Sequence, residues 1–385
     1  MDQPARSTRL RPVRPWPLRA LPLGRIGGFR VYLSPAWLVL AVLVTVAYRY
    51  QAVDGLPAPA GYALGAAFVA LLLASVLLHE LGHALVCRRY GVGVRAITLE
   101  MLGGYTEMER DAPRPRVELF VSLAGPAVSL ALGGLVAGFA AGLPAHSIGR
   151  QLAVQVAASN IVVAAFNALP GLPLDGGRAL QALVWAVSRD PYRGHRVAGW
   201  AGWLLALLCA GAALVASLRG WISLIGAALI MIVALTVGSG AGQAIRLGRL
   251  GARLPLLDAT RLARPIFCVP AGISLAEARR RATEAGADGA ALAVADGAGA
   301  PLAVVDEPVA AAVPAGRREE VRIDSLARGL DPGRTIPAGL RGADVLRAVQ
   351  GDPAAQYLVT SGEDVVGVLR AADVARLLAA RGSDG

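Results

Sequence analysis

Long apolar runs without charge fill the first two thirds of the chain, and the last third alternates short apolar runs with charged residues. An uncharged apolar run of about 18 or more residues is typical of a transmembrane helix. Six such segments are predicted, near residues 33–50, 61–86, 117–142, 151–187, 197–218 and 220–245. The pattern therefore predicts a polytopic α-helical membrane protein, with six transmembrane helices, that continues into a soluble α/β region.

The fourth predicted segment is longer than one crossing, and prolines and glycines interrupt it at Pro170, Gly171, Pro173 and Gly176. A broken helix is tolerated at membrane depth where the freed backbone is buried in protein or lines a cavity. The interruption therefore predicts a broken helix that lines a cavity at membrane depth.

Residues 92–108 lie between the second and third segments and alternate apolar and polar positions through Val94, Ile97, Leu99 and Met101. Alternation with a period of two is typical of a half-buried strand. We expect one or two strands here, forming a small membrane-associated sheet that reaches Gly103 and Gly104. The alternative is a plain amphipathic loop.

Arginines flank the predicted segments unevenly. They cluster before the first segment and after the second, fourth and sixth, whereas the opposite loops carry only Arg49, Arg150 and Arg219. Positive charge marks the cytoplasmic side of a membrane protein, so we expect a multi-pass cell-membrane protein with both termini in the cytoplasm. The predicted domains are a basic cytoplasmic segment (1–32), a six-helix membrane domain (33–250) and a cytoplasmic domain (253–385).

The net charge of +11 does not indicate a nucleic-acid partner, because the basic residues lie mostly at the ends of apolar runs. The expected surroundings are instead a lipid bilayer. The three cysteines, Cys87, Cys209 and Cys268, are scattered along the chain. They predict neither a disulfide framework nor a zinc site of the cysteine type.

The second segment contains His79-Glu80-Leu81-Gly82-His83. Two histidines four residues apart lie on one helix face, so both imidazoles can reach one metal ion, and Glu80 can act on a metal-bound water. Ionisable groups inside a membrane span are costly and are functional by default. The motif therefore predicts a zinc site with Glu80 as its general base.

A catalytic zinc usually takes a third protein ligand and keeps one position open for water. Asp175 is the acidic residue well inside another span, and Glu118 stands at the very edge of the third. The second and fourth segments run in the same direction, and both motifs lie in their inner halves. We therefore expect His79, His83 and Asp175 to meet at one level. A polar cap on a re-entrant helix is the alternative for Asp175.

The paired motifs resemble the site-2 protease family of intramembrane zinc metalloproteases. The likeness rests on HExxH in one span, on Asn167-x-x-Pro-x-x-Pro-x-Asp175-Gly in a later one, and on the stretch Ser122 to Pro126. The resemblance implies that His79, His83 and Asp175 bind zinc, that Glu80 is the base, and that Asn167 lies near the scissile carbonyl. It further implies transmembrane protein substrates, received as an added strand beside Gly103 and Gly104.

The soluble third contains an internal repeat, in which Val269-Pro-Ala-Gly and Ile336-Pro-Ala-Gly each precede a helix and two strands. The repeat resembles a tandem pair of cystathionine-β-synthase (CBS) domains, which implies a regulatory role, an adenosine nucleotide between the repeats and a homodimer. Gly367 and Asp373 match the closing pattern of that family, with Asp373 at the ribose-contacting position, but Arg370 replaces the expected hydroxyl residue. A purely structural or dimerising pair is the alternative.

These features together favour a zinc endopeptidase that cleaves transmembrane segments of other proteins and is regulated by the CBS pair. Two other functions compete with it. A CBS-regulated channel or transporter would favour inverted repeats among its spans and polar residues along a path, whereas the ionisable residues here cluster at one site. A catalytically inactive member that only binds membrane partners would not need Glu80.

Overall fold

The structure, a computed structural model, describes residues 20–51, 57–100, 103–297, 299–329, 334–351, 356–362 and 364–379. The chain divides into two compact units, one ending at Arg249 and the other beginning at Leu250. Part of the predicted basic segment, with Arg6, Arg9, Arg11, Arg14 and Arg19, lies outside the described residues, as does Met101.

Seven helices belong to the first unit within these described residues. They are α1 (Pro35–Gln51), α2 (Ala58–Arg89), α3 (Pro115–Ala141), α4 (Ile148–Asn167), α5 (Asp175–Ser188), α6 (Pro191–Leu218) and α7 (Leu224–Gly251). Five of the seven, α2, α3, α4, α6 and α7, are long and apolar enough to cross a membrane. Large apolar side chains on them face outward, as Leu135 (73% exposed) and Phe139 (66%) do on α3. Such an exterior suits lipid rather than water.

Two of the six predicted segments differ from a simple span. The fourth is two helices, α4 and α5, separated by the Pro170–Leu174 connection, which confirms the predicted break. The first is α1, whose 17 residues are fewer than the roughly 20 of a typical crossing. It is shorter than predicted because the chain before Ser34 is a strand.

Four strands form one sheet in the order β1 (Leu21–Ile26), β2 (Phe29–Leu33), β3 (Val94–Glu100) and β4 (Gly103–Met108). The β1–β2 and β3–β4 pairs are antiparallel, and β2–β3 is parallel. The predicted strands near 92–108 are confirmed, and the loop alternative is wrong. The β1–β2 hairpin was not predicted, although a Gly27-Gly28 turn between short apolar runs is a hairpin signal.

The sheet packs directly against α2. Phe29, Val31, Ile97 and Leu99 are buried together with Trp37 of α1 and with apolar residues of α2. Burial of these side chains removes apolar area from water and fixes one face of the sheet. The packing brings β4, the last strand of the sheet, alongside the C-terminal half of α2.

Helices α2 and α3 approach each other through small residues. A Cβ added at Gly82 would lie 2.9 Å from Val128 Cγ2 and 3.1 Å from the carbonyl oxygen of Ala124. Glycine at a crossing lets two backbones come close together, a common device in membrane helix pairs. This close crossing places the imidazoles of His79 and His83 on α2 in contact with α3.

The second unit contains the two predicted repeats, with a short helix α8 (Ala259–Leu262) before the first and a short strand β8 (Ala327–Gly329) between them. The first comprises β5 (Ile266–Pro270), α9 (Leu275–Glu284), β6 (Ala291–Ala295), β7 (Pro301–Val305) and α10 (Glu307–Ala312). The second comprises β9 (Thr335–Pro337), α11 (Ala343–Val349), β10 (Gln356–Ser361), β11 (Asp364–Arg370) and α12 (Ala371–Ala379). In each, the strand after the first helix pairs parallel with the strand before it and antiparallel with the next. The repeat is confirmed.

The two repeats share one apolar seam. Ala293 and Val304 of the first repeat are buried against Leu358 and Val368 of the second. The backbones of Arg264 and Val368 also exchange two hydrogen bonds, both 2.9 Å long. The repeats are therefore held together by backbone pairing as well as by apolar contact.

Candidate metal centre

Three residues that the sequence predicts as zinc ligands lie close together in the membrane unit. His79 and His83 lie one turn apart on α2, and Asp175 is the first residue of α5. Asp175 Oδ2 is 3.1 Å from His79 Nε2 and 3.2 Å from His83 Nε2. The two Nε2 atoms are 3.3 Å apart.

These separations fit a tetrahedral zinc ion. Zinc bonds of about 2.0–2.1 Å in a tetrahedron place neighbouring donor atoms about 3.3 Å apart. Both histidines are buried, at 4% and 3% exposure, so water competes little for the three donors. Two imidazole nitrogens and one carboxylate oxygen are also a donor set typical of catalytic zinc. The residues therefore fit the metal that the sequence predicts.

The outer nitrogens of both imidazoles are held by α3. His83 Nδ1 lies 2.6 Å from the carbonyl oxygen of Val121, and a carbonyl only accepts, so Nδ1 carries the proton and donates it. His79 Nδ1 lies 2.9 Å from Ser129 Oγ. An imidazole whose Nδ1 is protonated keeps its Nε2 lone pair for a metal. The tautomer of His83 thus suits zinc binding.

Gly125 of α3 gives the two imidazoles their space. A Cβ at this position would collide with Nε2 of both His79 and His83. Glycine is required here for close approach rather than for backbone conformation. The Ser122–Pro126 stretch therefore contributes to the site because Gly125 has no side chain.

The connection between α4 and α5 sets the position of Asp175. The amide of Leu172 donates to the carbonyl oxygen of Ala198 on α6, at 3.0 Å, and Gly171 lies against Gly202 of α6. Gly177 in turn packs on the backbone of the connection. Gly171, Leu172 and Leu174 of this irregular segment are buried, and burial in protein is what makes non-helical backbone tolerable at membrane depth. Asp175 begins a helix, where the dipole favours its negative charge.

Glu80 is buried beside this cluster, at 4% exposure. The hydroxyl of Thr106 on β4 donates to Glu80 Oε2 at 2.8 Å. Gly104 of the same strand is so close that a Cβ there would lie 2.9 Å from Glu80 Oε1. Glu80 is also near enough to His79, His83 and Asp175 to interact with each electrostatically. The strand β4 thus borders both oxygens of the carboxylate.

Asn167 does not join the cluster. It is the last residue of α4 and is partly buried. Within the described part of the chain its side chain makes no hydrogen bond to His79, His83, Glu80 or Asp175. The groups that do touch the cluster, namely Val121, Gly125, Ser129 and Thr106, were not singled out as site residues, because common residue types carry no signal of their own.

In the second unit the predicted ribose-contacting residue has different neighbours. Asp373 accepts hydrogen bonds from Arg264 (Nε–Oδ2 3.1 Å), from Arg370 (Nε–Oδ2 3.0 Å) and from Arg376. Burial alone would raise the pKa of Asp373, but the hydrogen bonds from Arg370, Arg264 and Arg376 outweigh it and lower the pKa to about 2. Both carboxylate oxygens are therefore already paired.

Residues 67–157 and 145–210 match the model of Peptidase family M50. Over 371 residues the chain is 33% identical to Rip3 of Mycobacterium tuberculosis, whose name assigns it to the zinc metalloproteases, and the match covers 93% of each chain. The chain belongs to peptidase family M50. It is therefore a multi-pass zinc metalloprotease of the site-2 type, which acts within the membrane on membrane proteins.

Solved structures are similar to both units. A site-2 protease from Methanocaldococcus jannaschii is 26% identical and covers 59% of this chain and 95% of its own, with a TM-score of 0.45. A conserved CBS domain protein, TA0289 of Thermoplasma acidophilum, is 18% identical and covers 31% of this chain and 68% of its own, with a TM-score of 0.25.

Proposed function

We propose that the protease cleaves transmembrane segments of membrane proteins at a zinc ion held by His79, His83 and Asp175, with Glu80 as general base. The observation that carries this proposal is the set of 3.1–3.3 Å separations among the three donor atoms. A buried carboxylate lies next to them, and within the described residues no cationic side chain is bonded to it, which suits proton transfer.

Zinc at these residues supplies the Lewis acidity that lowers the pKa of water and polarises a peptide carbonyl. Glu80 takes the proton from the attacking water and gives it to the leaving amide nitrogen. The hydrogen bond from Thr106 holds Oε2 in place and leaves Oε1 to exchange the proton. The Nδ1 partners of His79 and His83 on α3 hold the two rings in a fixed orientation.

The substrate segment binds along β4. This strand is the last in the sheet order β1-β2-β3-β4, so within the described residues its outer edge is unpaired. An unwound segment can add to such an edge through backbone hydrogen bonds, and it must unwind because an intact helix shields its carbonyls. Strand addition at β4 would carry a peptide bond past Thr106 and Gly104 toward Glu80.

Asn167 is proposed to contact the substrate rather than the metal. It ends α4 just before the buried connection that leads to Asp175. Its side-chain amide has no hydrogen-bond partner within the described residues, so it can donate to the oxyanion of a scissile carbonyl. Replacement by aspartate would remove the donor and keep the size.

The proposed orientation places both termini, and with them the CBS unit, in the cytoplasm. Its support is the distribution of arginines along the chain, since Arg49, Arg150 and Arg219 stand alone on one set of loops. Labelling of single cysteines introduced at residues 145 and 220, from either side of sealed vesicles, tests the orientation. Both cysteines should react only with reagent on the non-cytoplasmic side of the membrane.

The experiment that tests the protease proposal compares membrane proteomes of cells that express the wild type or Glu80→Gln at equal levels. Single-span protein stubs should accumulate in the variant, and their cytoplasmic fragments should disappear. Identical profiles, with an upstream cleavage known to have been triggered, would contradict the proposal. Transport or scaffolding would then take its place.

The CBS pair is proposed to regulate cleavage, and its support is its fusion to the protease in one chain. The adenosine nucleotide at Asp373 stays a prediction. A ribose could contact Asp373 only by displacing Arg264 or Arg370 from it. Equilibrium dialysis of the full-length protein with ATP or AMP tests this, and binding that is unchanged in Asp373→Ala would exclude Asp373 as the contact.

A homodimer through the CBS pair is proposed on the family resemblance and on exposed apolar residues of this unit. Leu302 of β7 is 58% exposed and Val366 of β11 is 40% exposed. Native mass spectrometry of the protein from nanodiscs should give a dimer. Leu302→Ser with Val366→Ser should reduce it to a monomer.

A further inference from the structure

A buried ion pair lies one helical turn from the metal centre. Arg178 of α5 donates from Nε to Glu118 Oε1 of α3 at 2.9 Å. The side chain of Glu118 is 8% exposed and that of Arg178 is 24% exposed. Burying two opposite charges rarely adds net stability, since desolvation offsets their attraction. A contribution to net stability therefore does not explain why the pair is present.

The pair joins the two helices whose relative position defines the site. Arg178 follows Asp175 by one turn of α5. Glu118 precedes by about one turn the carbonyl of Val121, which holds His83. The backbone of Glu118 is tied further into α3, since Ser122 Oγ donates to its carbonyl oxygen at 2.7 Å. A link between Arg178 and Glu118 thus connects the carboxylate ligand to the helix that orients both imidazoles.

Asp175 has few other restraints on its orientation. The residue before it, Leu174, provides no side-chain cap for α5. Gly176 and Gly177 follow Asp175 and add no side-chain contacts. The carboxylate is bonded only to the two histidines within the described residues. A ligating carboxylate normally has an outer partner that orients it, and here the restraint can come from Arg178 at the next turn.

Arg178 also reaches the substrate-binding strand. Its Nη2 lies 3.9 Å from Met108 Sδ, at the end of β4. The same strand holds Glu80 through Thr106. One guanidinium group therefore contacts α3 and β4 from α5, and these three elements carry or orient all of the residues at the cluster.

We propose that Glu118 and Arg178 are a positioning pair that sets zinc affinity by fixing Asp175 relative to His79 and His83, without touching the substrate. This inference rests on the proposed zinc site and goes beyond it. Loss of a partner outside the ligand set typically weakens metal binding 10–100-fold. The pair should therefore act mainly on the zinc dissociation constant rather than on the stability of the metal-free protein.

The test uses the full-length protein in nanodiscs and replaces both charges at once, by Glu118→Leu with Arg178→Met. Apolar residues of similar volume avoid leaving one charge buried alone. The zinc dissociation constant, measured by competition with a chromophoric chelator, should rise about 10–100-fold. The thermal midpoint of the metal-free protein should stay within a few degrees. Arg178→Lys, which keeps the charge but loses the planar fork, should give a smaller loss.

The matched control is Glu107→Leu with Arg95→Met. This pair joins β3 and β4 at 2.8 Å, but its side chains are 38% and 53% exposed, and its removal should leave zinc affinity unchanged. An unchanged dissociation constant in the Glu118–Arg178 double variant would overturn the inference. A proportional fall in zinc affinity and metal-free stability would also overturn it. A wild type that binds zinc but never cleaves would refute the protease proposal and leave this inference intact.

Discussion

Two aspartates of this protein were predicted to hold a ligand, and the structure surrounds them differently. Asp175 faces two imidazoles, whose Nε2 atoms converge with its own Oδ2, and within the described residues no arginine or lysine is bonded to it. Asp373 faces three guanidinium groups, which occupy both of its oxygens. The first arrangement aims three potential metal-ligand atoms at one point, whereas in the second the carboxylate is already neutralised by cationic side chains of the protein.

The two aspartates also differ in how complete a motif surrounds each of them in the sequence. The ligand role of Asp175 depends on two other residues of the right type at the right distance, and all three are present. The nucleotide role of Asp373 depends on a pattern in which Arg370 replaces a hydroxyl residue. That same Arg370 donates to Asp373 in the structure. The arginine at position 370, which departs from the family pattern, therefore pairs with Asp373, the residue that matches the pattern.

The largest effect is expected for Asp175→Asn, which tests the membrane side of this comparison. The change keeps the size of the side chain but removes the negative charge that is proposed to bind zinc. Zinc affinity should fall by more than the ~100-fold that an outer partner costs, and cleavage should fall to background. Metal analysis of the purified protein measures the first effect, and cleavage of a single-span reporter the second. Full zinc occupancy in the variant would remove Asp175 from the ligand set.

Gly125→Ala should have the next largest effect. Alanine normally favours a helix over glycine by about 1 kcal/mol, yet here its Cβ would collide with both Nε2 atoms. We expect zinc affinity and cleavage to fall about 100-fold, as for a displaced ligand. Gly134→Ala on the same helix is the control, because nothing lies within 4 Å of its Cβ position. Equal behaviour of the two variants would contradict the crowding argument.

The sequence predicted the chemistry of the membrane site better than its support. His79 and His83 were recognisable because a spacing of four on one helix is local information. Asp175 was recognisable because a carboxylate inside a span is rare. Val121 acts through its backbone and Gly125 through a missing side chain, and such contacts depend on how α2 crosses α3. Tertiary packing, which no local pattern encodes, therefore decided the rest.

The same limit applies to the fold. Long apolar runs predicted most of the helices, and alternation predicted β3 and β4. The β1–β2 hairpin was missed because Pro22 and Gly24 weaken a short strand pattern, and its stability comes from packing on α2. Glu118 was seen only as a charge at the edge of a span, because its partner Arg178 is distant in the chain.

A tenfold effect is expected for Thr106→Val, which separates the base from the metal. The hydroxyl of Thr106 donates to Glu80 Oε2, and a hydrogen bond to a charged group contributes about 1.5–3 kcal/mol. Its loss should lower kcat about tenfold or more and leave zinc affinity unchanged, whereas Thr106→Ser should restore most of the activity. A parallel loss of zinc would mean that β4 supports the metal site as a whole.

The smallest effect concerns Asp373, on the other side of the comparison. Its pKa is lowered from 3.8 to about 2 in the folded protein, so its ion pairs stabilise the fold above the unfolded pKa and lose this contribution as the pH falls from about 5 to about 2. Asp373→Asn should lower the free energy of unfolding by about 1 kcal/mol or less at pH 7. This difference from the wild type should shrink at pH 3. Calorimetry of the full chain at both pH values measures this, with Asp344→Asn in an exposed pair as control. If the difference in stability between the wild type and the variant grew toward acid pH, Asp373 would not be paired as described. A large gain in wild-type stability on adding ATP, absent in the variant, would show instead that a nucleotide displaces the arginines.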